Sequence, residues 1–424
     1  MTSVVGILNK QGVAIAADSA VTLGRMKDGR KRQKISKNGN KMIRLSETVP
    51  VAVMITGNAN YLHIPWEVIV RRYRQQRGTV AHSTVEDAVN DFFEFIHSDP
   101  VFWGYDCGSG YVNWLAEMMY NEIVEDLVDL TERDSEGNLC RPDDFVQSFC
   151  RTAASIRKNL EKGGICPQFK EYSLDQFQAA ADDYFCEFVT DNYPEEVLTP
   201  IRQSLRETVW TALRTRCVGR PYTTLVFVGF GKDQDCPSLV STVVGGGFDK
   251  RVNYHVRPED IVCISDDKPV AICPFAQDDV ISSVLRGIHS DWSEDAGKVF
   301  WNMVNPFGSD VFSPSGDEED PGIEFHAMLA GVKTDDLQRQ FYKEGMRMLD
   351  KNQRAWERTL KDSDLESLAS LADCLIDLTG VHRVLTFSQE GVGGPVDVAV
   401  ISKNEGFTWL RRKSWYHKDG PMGV

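Results

Sequence analysis

Apolar residues recur along this chain with two different periods. Over residues 2–56 they form short runs, 3–9, 12–18, 41–45 and 50–56, rich in Val, Ile and Ala and separated by Gly, Asn or charged turns. That pattern predicts four β-strands. Runs such as 13–17 are apolar at every position, so both faces of such strands must be covered, which puts the sheet inside a layered sandwich. Two helices follow. One takes in Pro65 to Tyr73, with the proline suited to a first helical turn. The other starts at a capping box, Ser83-Thr84-Val85-Glu86, and sets Val85, Val89, Phe92 and Phe93 on one stripe.

From about residue 101 to 221 the pattern turns helical with acidic faces, over 112–130, 143–160, 174–190 and 195–216, and reads as an inserted helical subdomain. Gly108-Ser109-Gly110 within it reads as loop chemistry rather than as a nucleophile. Strand patterns resume at 223–231, 238–244 and 252–256. The triplet Gly245-Gly246-Gly247 lacks the Gly-Lys-Ser/Thr of a phosphate cradle and reads as a strand-end turn. A strand at 270–273 leads to a helix at 278–288, a polar loop at 305–322 and a long amphipathic helix at 334–360. A shorter helix opened by Ser363-Asp364-Leu365-Glu366 ends at Gly380. A Gly-Gly-Pro segment and two strands, up to residue 412, close the pattern.

This order predicts the α+β class: a four-layer αββα sandwich of two mainly antiparallel sheets, with residues 2–100 and 222–424 forming it and 101–221 inserted. A formal charge of -15 and a pI near 5.1 argue against nucleic acid or an anionic membrane as partner. The one basic cluster, 25–44, reads as a solvated loop, with a rim favouring acidic groups as the alternative. Ten cysteines without a Cys-x-x-Cys pair give no zinc pattern. Cys263 and Cys273 sit in apolar runs, where a reduced cysteine acts as a small core residue, so a reducing cytoplasm is expected. There is no signal-peptide pattern and no apolar run of ~18 residues.

The candidate chemistry lies at the start. If Met1 is removed, which the small side chain of Thr2 permits, Thr2 carries a hydroxyl and a free amine. An α-amine titrates near ~7.7–8.0 and can take the hydroxyl proton without a histidine. A buried cation favouring the neutral amine, and an acid holding that cation, would complete the set; Lys41 and Asp18 are the candidates.

The runs Thr2-Ser3-Val4-Val5-Gly6-Ile7, Ile15-Ala16-Ala17-Asp18-Ser19, Asn40-Lys41-Met42-Ile43-Arg44-Leu45 and Met54-Ile55-Thr56-Gly57 resemble proteasome β subunits and their bacterial two-component relatives, which are N-terminal nucleophile hydrolases. The resemblance implies a threonine-type peptidase with Thr2 as nucleophile, Asp18 and Lys41 as its catalytic partners, and Met54, Gly57 and Ser19 as oxyanion or supporting positions. Lys37 is the alternative lysine and reads as a turn residue. The resemblance further implies a peptide substrate, a homo-oligomer, a possible ATPase partner, and no cofactor or metal. The chain departs from the pattern at Pro274-Phe275-Ala276, where a supporting serine is expected. It departs again at Gln389 and Val392, with Ser388 and Glu390 adjacent, where an Asp and a Ser are expected. A catalytically inactive proteasome-like subunit, acting in assembly or binding, is therefore the second reading.

Overall fold

The computed structural model describes residues 2–27, 30–36, 39–129, 145–181, 195–216, 222–287, 343, 347, 351–386 and 393–413. The protein is α+β, built on antiparallel sheets, and it divides into two compact units. The first comprises residues 1–39, 264–400 and 409–424, the second 40–263 and 401–408.

The first unit is organised on a five-stranded sheet in which β1 (Ser3–Asn9) and β2 (Gly12–Ala17) are central. β13 (Val270–Ala276) lies beyond β1, while β14 (Asp397–Ser402) and β15 (Gly406–Arg411) lie beyond β2. Every residue of β1 and β2 is buried, as the unbroken apolar runs require. Val5, Ile7, Ala14 and Ala16 pack against Leu368, Ala372, Leu375 and Ile376 of a helix at Leu365–Leu385. The Asn9 carboxamide donates to the carbonyls of Leu360 and Ser363 at 3.0 and 2.7 Å, fixing the entry to that helix. Asp364, not Ser363, is its N-cap, accepting from the Ser367 N–H at 2.7 Å. The helix runs through Gly380. A single interior glycine costs only about 1 kcal/mol relative to alanine, too little to end a helix anchored by Leu368, Ala372, Leu375 and Ile376.

The basic segment, expected as a loop, forms an antiparallel hairpin of β3 (Val21–Lys27) and β4 (Arg30–Ser36), in register from Val21 opposite Ser36 to Lys27 opposite Arg30. Strand propensity was hidden by the run of charged residues. The expected loop at 305–322, residues 334–342 of the long helix, and Lys37, Ser388, Gln389, Glu390 and Val392 lie outside the described residues; 351–360 are helical.

The second unit carries a sheet in the order β11 (Arg251–His255), β10 (Ser238–Phe248), β9 (Thr223–Gly229), β6 (Val51–Gly57), β5 (Met42–Arg44), with β12 (Ile261–Cys263) also on β10. A minor hairpin, β7 (Asn60–Tyr61) and β8 (Ile64–Pro65), precedes α1 (Trp66–Arg77). Helix α2 (Val85–Ser98) is capped one residue later than expected, by Thr84 reciprocally with Asp87. Helices α3 (Tyr105–Asp129), α4 (Phe145–Lys162), α5 (Leu174–Ala181) and α6 (Glu195–Arg214) fill the 101–221 region and enclose a second core containing Leu115, Met119, Phe149, Phe177 and Leu205. The glycine triplet lies inside β10, where the register with β11 shifts between Val244 and Gly247. This bulge, rather than a strand-end turn, is what the glycines serve.

No helix among the described residues is long and apolar enough to cross a membrane. The first helix layer of this unit rests on Phe92, fully buried and in ring contact with Trp66, Tyr73, Phe93 and Phe227. Phe92→Ala is expected to cost about 3–5 kcal/mol, read as a lowered urea midpoint at unchanged slope.

Candidate active site

The start of β1 is held by a buried carboxylate. Asp18, 2% exposed, accepts from the Ser3 N–H at 2.9 Å on one oxygen, and from the Ala20 and Gly393 N–H groups at 3.1 Å each on the other. The Asp18 N–H donates back to the Ser3 carbonyl at 3.2 Å, and the Gln277 N–H to the Thr2 carbonyl at 3.1 Å. Thr2 is thus fixed on both sides of its own carbonyl while its side chain stays partly exposed. The cause is solvation: a carboxylate removed from water must find donors in the protein.

Next to it lies a second polar cluster. The Lys413 ammonium, fully buried, donates to the Asp397 carboxylate at 2.6 Å, the Gly39 carbonyl at 2.7 Å and the Ser19 hydroxyl at 3.3 Å. Three donors meet three acceptors, so the cation is satisfied without water. The Ser19 hydroxyl in turn donates to the Pro395 carbonyl at 2.7 Å. Its proton is committed to that carbonyl, and the Lys413 nitrogen is a donor to it rather than an acceptor. Lys413 and Asp397 escaped the sequence reading. The available signal was one acid inside the otherwise apolar run Val396 to Ile401.

Lys41, Met54 and Gly57 belong to the second unit. Lys41 is 5% exposed, and its carbonyl accepts from the Ile55 N–H at 2.8 Å. That bond sets the direction of every amide in β6, because N–H groups alternate sides along a strand. Val53, Ile55 and Gly57 point toward the β5 side, whereas Met54 points toward Val226 in β9. β5 pairs no further along β6 than Met54, so the Gly57 N–H faces the side that β5 has left, and Gly57 is exposed while Met54 is buried. Gly57 also has φ +81°, and a Cβ there would lie 2.4 Å from the Tyr222 carbonyl oxygen, so only glycine fits.

At the departures from the expected pattern, Phe275 and Ala276 end β13 opposite Val4 and Ser3, and Ala276 supplies no hydroxyl. Cys273, opposite Gly6 on the same strand, has its thiol pushed up to about 11 by burial and stays protonated. Among the described residues no group of three or more His, Cys, Asp or Glu side chains could hold a metal ion. Lys413→Ala leaves the Asp397 carboxylate buried and unpaired. It is expected to destabilise the protein by about 3–5 kcal/mol, measured by denaturant unfolding, with Lys413→Arg failing to restore the wild-type value because the cavity is sized for an ammonium.

No protein-family model and no curated protein matches the sequence. Among solved structures the chain is similar to the Anbu (Gly-1) mutant from Hyphomicrobium sp. strain MC1, at 10% identity, 97% coverage of this chain, 86% of that one and a TM-score of 0.27. It is similar also to Anbu, an ancestral beta-subunit, from Yersinia bercovieri, at 9% identity, 98% and 89% coverage and a TM-score of 0.27. Superpositions this loose carry no argument about fold or activity.

Proposed function

We propose that this protein is an amide hydrolase of the N-terminal threonine type, as the resemblance to proteasome β subunits implies, with Thr2 as nucleophile once Met1 is gone. The observation that carries the reading is the Asp18 carboxylate, buried and bonded to the Ser3 N–H at 2.9 Å. A nucleophile on residue 2 needs its backbone fixed, and this bond fixes the residue that follows it.

In this reading the Thr2 hydroxyl attacks a peptide carbonyl and the α-amine takes the hydroxyl proton. The C–O bond forms as the carbonyl electron pair moves to oxygen, and the Gly57 N–H is the donor for that oxyanion. The ammonium then returns the proton to the leaving nitrogen as the C–N bond breaks, and water hydrolyses the ester by the same steps. Lys41 supplies the positive charge that favours the neutral amine and Asp18 is its counter-ion, while Ser19 is the supporting position beside it, held by its bond to the Pro395 carbonyl. The substrate class is peptide, and assembly into a homo-oligomer served by an ATPase belongs to the same proposal, as does the division into 2–100 with 222–424 around an inserted 101–221.

One observation favours the inactive alternative: Ala276 stands where a supporting hydroxyl would orient the amine. Intact-mass analysis separates the two readings. Loss of one methionine is the expected result, and retention of Met1 across the whole population would leave Thr2 amide-bound and sink the mechanism. In a capped-peptide hydrolysis assay, Thr2→Ala is expected to lower kcat on the order of 10⁴-fold or more; unchanged turnover would remove Thr2 from the chemistry.

A further inference from the structure

The second unit contains a cavity of about 300 Å³ that the chemistry above leaves unused. Its walls are Asn58, Asn60, Tyr61, Tyr111, Trp114 and Tyr222. The geometry points to a subsite for an aromatic side chain of an extended peptide substrate, beginning next to Gly57 in the chain; this inference rests on the hydrolase reading and names its substrate preference.

Three observations build the site. First, the glycine triplet of β10 is its floor. A Cβ at Gly246 would sit 2.0 Å from the Tyr111 ring, and one at Gly247 would sit 2.2 Å from the Tyr61 hydroxyl. The bare backbone therefore lets two aromatic rings approach the strand, which no side-chain-bearing residue would allow. Second, Tyr111 and Trp114, three residues apart on α3, stack with centroids 5.7 Å apart and planes 28° from parallel. Trp114 and Tyr222 are 38% and 46% exposed, so aromatic surface is presented at the mouth. Third, the rim is held in a costly conformation. The loop between β7 and β8 is Leu62-His63 with φ +46° and +68°, left-handed at two residues that are neither Gly nor Asn. That turn sets His63 against Gly110, where a Cβ would lie 3.3 Å from Nε2.

The lining selects the occupant. It contains His63 but no Asp, Glu, Lys or Arg, so a cationic group entering it would lose water without gaining a counter-ion. Tyrosine and tryptophan faces favour a flat ring in offset or edge contact over an aliphatic chain. The exposed carboxamides of Asn58 and Asn60 can exchange hydrogen bonds with the amides of the peptide that carries the ring. Position fixes the register: Asn58 follows Gly57, the proposed oxyanion donor, directly in the chain. At ~3.3 Å per strand residue, the cavity serves a side chain within a few residues of the scissile carbonyl.

The test uses capped peptides in which Phe, Leu, Glu or Ala is moved position by position around one cleavable amide. Wild-type protein is expected to show kcat/KM about tenfold or more higher for Phe than for Ala or Glu at one position. That ratio should fall to about twofold or less in Tyr222→Ala and in Trp114→Ala, both partly exposed positions where the fold should survive. A Leu peptide matching Phe, or an unchanged ratio in both variants, overturns the assignment. Binding is read separately in the Thr2→Ala protein by tryptophan fluorescence, with Trp114→Phe in the same background as the control. A titratable change with the Phe peptide, absent with the Ala peptide and absent in the control, supports the subsite even if wild-type protein cleaves nothing, in which case only the hydrolase reading falls. Cleavage without positional preference and with no Trp114 response leaves the hydrolase standing and removes the subsite.

Discussion

The interaction on which the first unit depends is the satisfaction of one buried carboxylate by backbone. Asp18 draws N–H groups from residues 3, 20 and 393, three points that the chain order separates widely. Each donor it holds fixes a strand end or a turn. A neutral side chain could fill the volume but would not command that convergence, because the cost of an ionised group without donors is far larger than that of an amide. The Lys413–Asp397 pair repeats the principle a short way along the same sheet, gathering residues 19, 39 and 397 around one cation. In a sheet whose central strands are apolar apart from Ser3 and Asn9, these two polar centres decide where the backbone may run.

Much of the fold was written in local patterns. The runs at β1, β2 and β6 carry polar residues only near their ends, Ser3, Asn9 and Thr56, and the helical periodicities of α3 and α4 survive charged faces because a 3.6-residue repeat needs only one apolar stripe. The failures share a cause. At β3 and β4, six Arg and Lys residues between positions 25 and 34 leave little apolar pattern to read, and only the pairing of the two strands shows them as a hairpin. The glycine triplet carries no side chain to show whether it turns or continues. What it accommodates, the rings of Tyr61 and Tyr111, lies more than a hundred residues earlier. Gly380 looks like a stop because glycine commonly ends helices, yet the cost of one glycine is small beside the packing of the turns before it.

The candidate site was legible to the extent that its chemistry is local. Thr2 and Asp18 stand in adjoining strands of one hairpin, so their relation follows from two short runs of sequence. The direction of an amide is another matter: Met54 and Gly57 are both reasonable oxyanion positions until the Ile55 to Lys41 hydrogen bond assigns each its side of the strand. Lys413 was illegible because a buried ammonium is recognised by its partners, and those partners come from three separate segments.

The order of strands in the first sheet has a consequence for biosynthesis. β1 and β2 leave the ribosome well ahead of the strands they pair with on their outer sides, β13 and β14, whose residues are numbered near 270 and 400. At ~5–20 residues per second, this largely apolar nascent hairpin waits on the order of 20–80 s for its last neighbour, the β1 edge open until β13 is made and the β2 edge open until β14 is. Such edges are templates for pairing with other chains, so the cell must shelter this segment during translation, and the most demanding moment in the protein's life falls before it is complete.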